Sequence, residues 1–360
     1  MRKLLYEYRV LFIILVIPYL FIIVSSIVKV NKDLTVPASI ADVSDSISIN
    51  ENDASNVNTV AIYSYTKINL LNYLIGLVNP YAEIEDTYEY NVIDYKENYY
   101  SGYIQKIVSI NNALIAGYKT AGFNEIVSKD SFKGYIIHTL MTYSPSELEV
   151  GDIIIEFNGI NFTEDAIENE FENSLENLEF IKDKTYKIKV QRNSEVLEFD
   201  ISTNYFYEKD NKKISAFGIY TYSYNIPNKF EETSKLYYEI YNSNTLGPSG
   251  GLMQSLYIYE ALTGFKLTKN VKIVGTGTVD AYGQAGFIGG IKEKVITAHY
   301  SGADIFFVPV SSMDPSIYQT EDNYCDALES YNKLKNTKMK LVPVASLYDV
   351  INYLNGDNNE

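Results

Sequence analysis

An uncharged stretch near the N-terminus, residues 10–28, constrains the fold of this chain more than any other feature of its sequence. About 20 apolar residues in a row are enough to cross a bilayer as a helix. The single proline within the stretch, Pro18, is tolerated in membrane helices. Because the stretch is apolar on every face, a helix buried in a soluble core is disfavoured. The sequence therefore predicts a transmembrane anchor over residues 10–28.

The charges that flank this stretch predict its orientation. Arg2, Lys3 and Arg9 precede it, whereas the lysines that follow it are soon joined by acidic residues. The positive-inside rule then places residues 1–9 in the cytoplasm and the body of the protein outside. The alternative is a cleaved signal peptide, but the apolar run is longer than a usual signal core and no A-x-A site follows directly. We therefore expect a single-pass protein of the cell membrane with an extracytoplasmic body.

Composition excludes several classes of function. A chain of 360 residues is long enough for two or three folded units. Its formal net charge of −16 repels phosphate backbones, which argues against nucleic acid as a partner. One cysteine, Cys325, and two histidines, His138 and His299, cannot form an internal disulfide or a typical metal site. We expect neither a metal nor a cofactor, and the shortage of histidine also restricts the choice of a catalytic base.

The segment that follows the anchor divides into two parts by composition. Residues 29–56 are rich in Ser, Asp and Asn, which predicts a polar tether. Residues 57–125 contain one alternating, β-prone run over residues 59–65 and two helical patterns over residues 68–78 and 100–122. We expect this second part to pack on the C-terminal domain.

The sequence of residues 126–203 predicts strands and turns, with a polar helix over residues 164–178. Their sequence Glu149-Val150-Gly151-Asp152-Ile153-Ile154 resembles the L-x-x-G-D-x-I signature of PDZ domains. The resemblance implies that an extended peptide adds to a sheet edge in this unit. The family's carboxylate-binding loop falls on Gly134, Tyr135, Ile136 and Ile137. The alternative is a small β domain that only packs against its neighbour.

The sequence Gly247-Pro248-Ser249-Gly250-Gly251 precedes a helix-compatible run. A serine at a helix N-terminus lies beside free N–H groups and the positive end of the dipole, which suits a nucleophile and an oxyanion. One alternative is an ordinary turn with an N-capping serine. Another is the α/β-hydrolase elbow, with Asp280 and His299 completing a triad. The 50 residues between Ser249 and His299 are too few for the remaining strands of that fold.

A second helix, predicted over residues 291–302, carries a candidate base. Ile291, Lys294, Val295 and Ala298 recur at i, i+3, i+4 and i+7, so Lys294 lies on an apolar stripe. Burial lowers the pKa of a lysine, and a neutral lysine is a competent base toward a serine hydroxyl. The alternative is a lysine that extends along the apolar surface and keeps its amine in water.

Several motifs occur in one order from Gly247-Pro248-Ser249-Gly250-Gly251 onward: Leu262-Thr263-Gly264, Val274-Gly275-Thr276-Gly277-Thr278-Val279, Phe287-Ile288-Gly289-Gly290-Ile291-Lys292-Glu293-Lys294 and Phe306-Phe307-Val308-Pro309. This order resembles the proteolytic domain of Lon proteases and implies such a domain over residues 204–354, with a tail over residues 355–360. The resemblance implies that Ser249 is the nucleophile, Lys294 its base and Thr276 a supporting residue. It also implies that the backbone at Gly247, Pro248 and Gly250 stabilises the oxyanion, and that the domain forms a ring-shaped homo-oligomer.

The whole layout is similar to bacterial Lon-like proteases that have one membrane helix, an embedded PDZ domain and no ATPase module. The 360 residues contain no G-x-x-x-x-G-K-S/T motif. The resemblance implies an α+β fold and an ATP-independent serine endopeptidase acting on protein or peptide substrates. Two residues depart from the family pattern, Leu246 in place of an acidic residue and Gly250 in place of alanine. The alternative is a non-catalytic binding or scaffold protein anchored in the membrane.

Overall fold

The structure is a computed structural model that describes Tyr6 and residues 8–50, 55–87, 95–162, 178, 181, 184–203, 205–209, 212–264, 267–268 and 271–357. The polar helix predicted over residues 164–178 lies outside the described residues except for its last position. Residues 358–360 of the predicted tail are likewise outside them, and residues 355–357 end a helix.

The described helices are α1 Arg9–Ile27, α2 Leu70–Val78, α3 Tyr95–Thr120, α4 Gly251–Thr263, α5 Ile291–Tyr300, α6 Pro315–Tyr318, α7 Asp322–Lys333 and α8 Leu347–Asp357. The described strands are β1 Lys32–Asp42, β2 Ile47–Ile49, β3 Val57–Tyr65, β4 Glu83–Asp86, β5 Phe132–Leu140, β6 Ile153–Phe157, β7 Ile160–Asn161, β8 Thr185–Arg192, β9 Glu195–Ser202, β10 Phe206–Lys209, β11 Lys212–Ser215, β12 Ile219–Asn225, β13 Tyr238–Ile240, β14 Ile273–Gly275, β15 Thr278–Val279, β16 Ala285–Gly286, β17 Ile305–Pro309 and β18 Lys340–Val344. The predicted mixture of helices and sheets is confirmed.

Helix α1 coincides with the predicted anchor to within one residue at each end. Among the described residues it is the one helix that is long and apolar enough to cross a membrane, a property that N-terminal signal sequences share. Pro18 lies inside the helix, and the side chains along it are almost all exposed to the surroundings of the protein. A continuous apolar helix whose side chains are almost all exposed is the arrangement that suits a lipid environment.

Six strands form the main sheet in the order β18-β17-β14-β3-β1-β4. The strands β18, β17, β14 and β3 are parallel, and β1 and β4 continue the sheet in antiparallel pairing. Successive side chains face opposite sides of a sheet. Ile273 and Phe307 accordingly join a core formed with α3, α4 and α8, whereas Val274 and Phe306 join a second core formed with α5 and α7. The main sheet therefore has helices on both faces.

The structure corrects the predicted tether over residues 29–56. Strand β1 begins at Lys32, five residues after the end of α1, and β1 is an inner strand of the main sheet. The polar composition concealed apolar residues that are buried, among them Leu34, Val43 and Ile47. The register of β1 shifts between Pro37 and Ile40, and such an irregularity is where a sheet accepts a proline.

The segment over residues 57–125 is also more than a layer packed on another domain. Strand β3 pairs in parallel with β14, so it is part of the same sheet as the strands that follow Ser249 in sequence. Helix α3 packs lengthwise against α4 and contributes Ala113, Leu114 and Tyr118 to the first core.

A second sheet, which we call the small sheet, has the order β12-β5-β6-β8-β9, with β7 paired to β6. Strand β12 extends this unit beyond the predicted boundary at residue 203 and into the segment predicted as the proteolytic domain. The small sheet has its own core, which includes Tyr135, Ile154 and Ile188. A further apolar cluster joins Ile104 and Val108 of α3 to Ile136 of β5, so α3 contacts both sheets.

Candidate active site

Ser249 lies at the junction between an irregular loop and the N-terminus of α4. We call residues 247–250 the nucleophile loop. The cap residue of α4 is Gly250, and no side chain caps the helix. Ser249 is therefore not an N-capping serine, and the ordinary-turn interpretation loses its basis. Gly247 has a φ of 83°, a left-handed conformation that glycine adopts without strain, which lets the loop turn into the helix.

Thr276 joins the candidate nucleophile to the candidate base. Its hydroxyl donates a hydrogen bond to the Ser249 carbonyl oxygen at 3.1 Å, and Lys294 Nζ donates to Thr276 Oγ1 at 3.2 Å. The neighbouring N–H of Gly277 donates to the same Ser249 carbonyl at 2.9 Å. The structure thus brings Ser249, Thr276 and Lys294 into one hydrogen-bonded chain. Among the described residues, the amine of Lys294 bonds to Thr276 and not to the Ser249 hydroxyl.

Lys294 is buried as its helical spacing predicts. Only 3% of the residue is exposed, and Ile291, Val295 and Ala298 of the same stripe are also buried. Burial lowers the pKa of the Lys294 amine to about 8, and the neighbouring Glu293 carboxylate opposes this effect only in part. The alternative interpretation, in which Lys294 keeps its amine in water, is therefore excluded. The neutral amine, which is the form that a general base requires, is therefore accessible near neutral pH.

The two residues that precede Lys294 on α5 have different surroundings, and these surroundings shift their pKa values. Lys292 Nζ lies 3.2 Å from Asp326 Oδ1 and 3.4 Å from Glu83 Oε1, and these carboxylates raise its pKa against the opposing effect of burial. Glu293 is buried, which raises the pKa of its carboxyl to about 7. Its Oε2 has no hydrogen-bond partner among the described residues.

Helix α3 holds the nucleophile loop, a role that the sequence did not indicate. Ser109 Oγ donates to the Pro248 carbonyl at 2.7 Å, and the Gly247 N–H donates to the Gly102 carbonyl at 2.9 Å. Lys106 Nζ donates to the carbonyl and the hydroxyl of Ser243, each at 2.7 Å. A side chain at Gly102 would meet Leu246 Cβ at 3.2 Å, so the absence of one allows the close approach. The local sequence of α3 carries no signal for these contacts, because they join segments that lie far apart in the chain.

The structure corrects the predicted set of oxyanion donors. Pro248 has no N–H group, and its carbonyl accepts hydrogen bonds from Ser109 and from the Gly251 N–H. The N–H of Gly247 is already bonded to Gly102. The N–H groups of Ser249 and Gly250 have no hydrogen-bond acceptor within the described part of the chain. They lie at the positive end of the α4 dipole, where backbone donors suit a developing negative charge.

The structure gives a physical reason for Gly250. A Cβ atom at this position would lie 3.1 Å from Thr59 Cγ2 on β3, which is closer than an ordinary contact. The residue that precedes the loop, Leu246, is exposed. Leu246 therefore supplies no charge beside Ser249, and its Cβ instead packs over Gly102 of α3.

The alternative triad is not assembled. Asp280 Oδ1 accepts hydrogen bonds from the N–H groups of Tyr282 and Gln284, and His299 stacks edge-on against Tyr300. His138 stacks on Tyr222 at 4.3 Å, and burial lowers its pKa to about 4. Among the described residues, neither histidine hydrogen-bonds to Ser249, and no group of three or more His, Cys, Asp or Glu side chains could hold a metal ion.

A cavity of about 220 Å³ opens beside Pro248. Apolar groups from Val108, Tyr222 and Val279 line part of it, and Asp280 is the one charged side chain that the described residues contribute. The full lining is Gln105, Val108, Ser109, Asn112, Tyr222, Pro248, Thr278, Val279, Asp280, Gln284, Ala285 and Gly286. One wall is therefore α3, and Tyr222 brings β12 of the small sheet to the same cavity.

The predicted peptide-binding residues Gly134, Tyr135, Ile136 and Ile137 lie within β5. Both edges of β5 are paired, with β12 on one side and β6 on the other. A peptide could add to β5 only by displacing one of these strands, because a strand has two edges. The open edge beside this segment belongs to β12, which ends the order of the small sheet.

Comparison with known proteins finds similarity in the C-terminal part of the chain. Residues 222–352 match the family model of the Lon protease (S16) C-terminal proteolytic domain. The chain is 31% identical over 127 residues to a Lon protease of Chloroflexus aggregans (strain MD-66 / DSM 9485), covering 35% of this chain and 14% of that protein. It is 32% identical over 108 residues to a Lon protease of Malacoplasma penetrans (strain HF-2), covering 30% and 12%. It is 30% identical over 104 residues to a Lon protease of Aster yellows witches'-broom phytoplasma (strain AYWB), covering 29% and 11%.

The chain thus spans about one seventh of the length of these relatives or less. Helix α3 and the strands β1, β3 and β4 lie outside the matched residues, although they hold the nucleophile loop and complete the main sheet. Residues 222–352, which are similar to the proteolytic domain of Lon proteases, contain Ser249, Thr276 and Lys294.

Proposed function

We propose that this protein is an ATP-independent serine endopeptidase in which Ser249 is the nucleophile and Lys294 is its general base. The observation that carries the proposal is the buried Lys294 amine, which is hydrogen-bonded to Thr276, while Thr276 holds the carbonyl of Ser249. A lysine with a lowered pKa beside a serine at a helix N-terminus is a competent arrangement for acyl transfer.

The reaction proceeds in two steps. As a substrate binds, the neutral Lys294 amine accepts the proton of the Ser249 hydroxyl, and the oxygen attacks the peptide carbonyl carbon. The tetrahedral intermediate collapses to an acyl-enzyme, and the protonated lysine returns the proton to the departing amine. Water then attacks the ester with Lys294 again accepting a proton, which releases the acid and restores Ser249. Thr276 keeps the lysine amine oriented through both steps.

The free N–H groups of Ser249 and Gly250 are the donors that we assign to the oxyanion. Hydrogen-bond donors fixed before the reaction stabilise the developing charge without reorganising, and each is worth about 3–4 kcal/mol of activation free energy in a known case. The hydrogen bonds from α3 to the nucleophile loop keep these donors in place.

The cavity beside Pro248 is where we place the substrate side chain that adjoins the cleaved bond. Its apolar surface from Val108, Tyr222 and Val279, together with amides from Gln105 and Asn112, favours an uncharged side chain of moderate size. Asp280 at the cavity opposes acidic side chains by like-charge repulsion.

The unit that contains the small sheet resembles a PDZ domain in sequence, and it is proposed to receive an extended segment of the substrate at the open edge of β12. Main-chain hydrogen bonds would add the segment as a strand. Tyr222 of β12 lines the cavity beside Pro248, the residue before Ser249, so a segment bound at this edge would be presented close to Ser249. Helix α1 is proposed to anchor the protein in the cell membrane with this body on the extracytoplasmic side, as the flanking charges predict.

The Ser249→Ala variant tests the proposal. We expect it to cleave an unstructured protein such as casein, without ATP, at least about a thousandfold more slowly than the parent. The control is Ser255→Ala, which removes a buried hydroxyl of α4 that, among the described residues, bonds only to the Leu252 carbonyl, and it should leave cleavage unchanged. Equal cleavage by the Ser249→Ala variant and the parent would refute Ser249 as the nucleophile, whereas no cleavage by the parent would favour a binding or scaffold role.

A further inference from the structure

Helix α2 presents an apolar surface that nothing in the described structure covers. Its nine residues carry no charge. Gly76 faces the main sheet, since a Cβ there would lie 2.9 Å from Ile84 Cδ1 and 3.1 Å from Leu34 Cδ1. Ile75, Leu77 and Val78 are exposed, and 81% of Val78 is accessible. An uncharged helix that leaves its large apolar side chains exposed has an unused interaction surface.

The end of α1 is fixed to the beginning of α2 by backbone hydrogen bonds. The N–H of Leu70 donates to the Val28 carbonyl at 2.8 Å, and the N–H of Val30 donates to the Ile68 carbonyl at 2.9 Å. Lys29 and Asn69 form a β-bridge between these bonds. The two helices therefore meet at one fixed point with no tether between them. Wherever α1 leaves a bilayer, α2 lies at the same surface.

The rim of this surface has the composition of a membrane interface. Tyr65 and Tyr81 are exposed on either side of α2 in sequence, and Tyr81 shares a hydrogen bond with the exposed Tyr300 of α5. Lys29 and Lys67 are exposed at the junction with α1. Tyrosines and lysines are the side chains that lie at the headgroup level, where an apolar body and a polar tip are both accommodated.

We infer that α2 lies in the interfacial layer of the bilayer that α1 crosses, with Val78 and its apolar neighbours inserted among the acyl chains. The inference rests on the proposed membrane anchoring by α1. An interfacial helix buries its apolar face about 5–10 Å below the headgroup boundary. The body is then held against the membrane at two places, and its main sheet keeps a fixed orientation to the bilayer.

The sequence offers a clean probe, because the chain contains no tryptophan. A single engineered tryptophan is then the only such fluorophore in these 360 residues. Three variants are reconstituted in phosphatidylcholine–phosphatidylglycerol vesicles: Val78→Trp on α2, Tyr19→Trp in the middle of α1, and Tyr348→Trp, an exposed position on α8. Each is measured with lipids brominated at a shallow or a deep acyl position and with aqueous acrylamide.

We expect Val78→Trp to lose emission chiefly with the shallow brominated lipid and to be protected from acrylamide. Tyr19→Trp should lose a comparable fraction with the deep lipid, and Tyr348→Trp should respond to acrylamide alone. If Tyr19→Trp is quenched by lipid while Val78→Trp behaves like Tyr348→Trp, the inference about α2 is overturned, but the proposal that α1 is a membrane anchor is supported. If Tyr19→Trp is not quenched by either lipid, both the anchor and the inference fail. If Val78→Trp is shielded from lipid and acrylamide alike, protein covers α2, and the inference is again overturned.

Discussion

The Lys294→Met substitution should abolish catalysis and at the same time stabilise the protein near neutral pH. The folded-state pKa of about 8 lies about 2.5 below the ordinary value of 10.5. At about 1.36 kcal/mol per pKa unit, the protonated amine costs the folded state about 3 kcal/mol at pH 7. Methionine keeps the apolar stem and removes this cost. The lost hydrogen bond to Thr276 offsets about 1 kcal/mol, which leaves a gain of about 2 kcal/mol.

The gain in the free energy of unfolding should decrease as the pH rises. Because burial depresses the pKa of a base, the cost is fully present below the folded-state pKa of about 8. It falls as pH rises from about 8 toward the unfolded value of 10.5, since the lysine of the folded protein is then already neutral. The stabilisation by Lys294→Met should therefore shrink through this window and, above it, give way to a loss of about 1 kcal/mol from the missing hydrogen bond to Thr276.

Thermal unfolding of the parent and the variant between pH 7 and pH 10 measures this effect. A gain of about 2 kcal/mol raises Tm by about 4–8 °C for a domain of 150–250 residues. Lys292→Met is the matched control, because its amine pairs with Glu83, Asp326 and Glu329, and its loss should lower stability by about 1 kcal/mol or less. If the Tm of Lys294→Met at pH 7 is lower than that of the parent, or if the difference in Tm does not change with pH, the conclusion that Lys294 is a buried amine with a lowered pKa is refuted.

Four further predictions follow from the same contacts. Because Lys294 must be neutral to accept a proton, kcat/KM should rise with an apparent pKa of about 8, a gain of about tenfold between pH 7 and pH 9. Thr276→Val should lower kcat by at least about tenfold, the equivalent of one hydrogen bond, and Thr276→Ser should restore most of it. Ser109→Ala removes a hydrogen bond from α3 to the nucleophile loop and should lower stability by about 1 kcal/mol, seen as a lower Tm together with reduced kcat. Gly250→Ala should reduce activity in steady-state assays by crowding Thr59, and the double variant with Thr59→Ser, which lacks the crowded methyl group, should recover it.

The parts of the site that could be predicted are those that local spacing determines. The i, i+3, i+4, i+7 pattern placed Lys294 on a buried stripe, and that stripe is buried in the structure. The glycines around Ser249 indicated a loop entering a helix, and α4 begins at Gly251. The motif order suggested Thr276 as a supporting residue, and its hydroxyl contacts both Lys294 and Ser249.

The parts that could not be predicted depend on contacts between distant segments. Nothing in the local sequence of α3 indicates that Ser109 will hold Pro248, which lies 139 residues away. The same holds for β12, which pairs with β5 and so leaves Ile136 and its neighbours without a free edge. The prediction of a polar tether was wrong for a different reason. The prediction relied on the polar composition of the whole segment, whereas a few apolar residues, such as Leu34 and Ile47, decide whether a strand is buried.

Covalent labelling of the nucleophile tests the central claim most directly. The full-length protein is treated with a fluorophosphonate at pH 8, digested, and mapped by mass spectrometry, alongside the Ser249→Ala and Lys294→Met variants. The account predicts one adduct on the peptide that contains Ser249, no adduct in Ser249→Ala, and a rate of labelling in Lys294→Met that is lower by at least about a hundredfold. An adduct on another residue of a proteolytically active protein, or equal labelling of Lys294→Met and the parent, would contradict it.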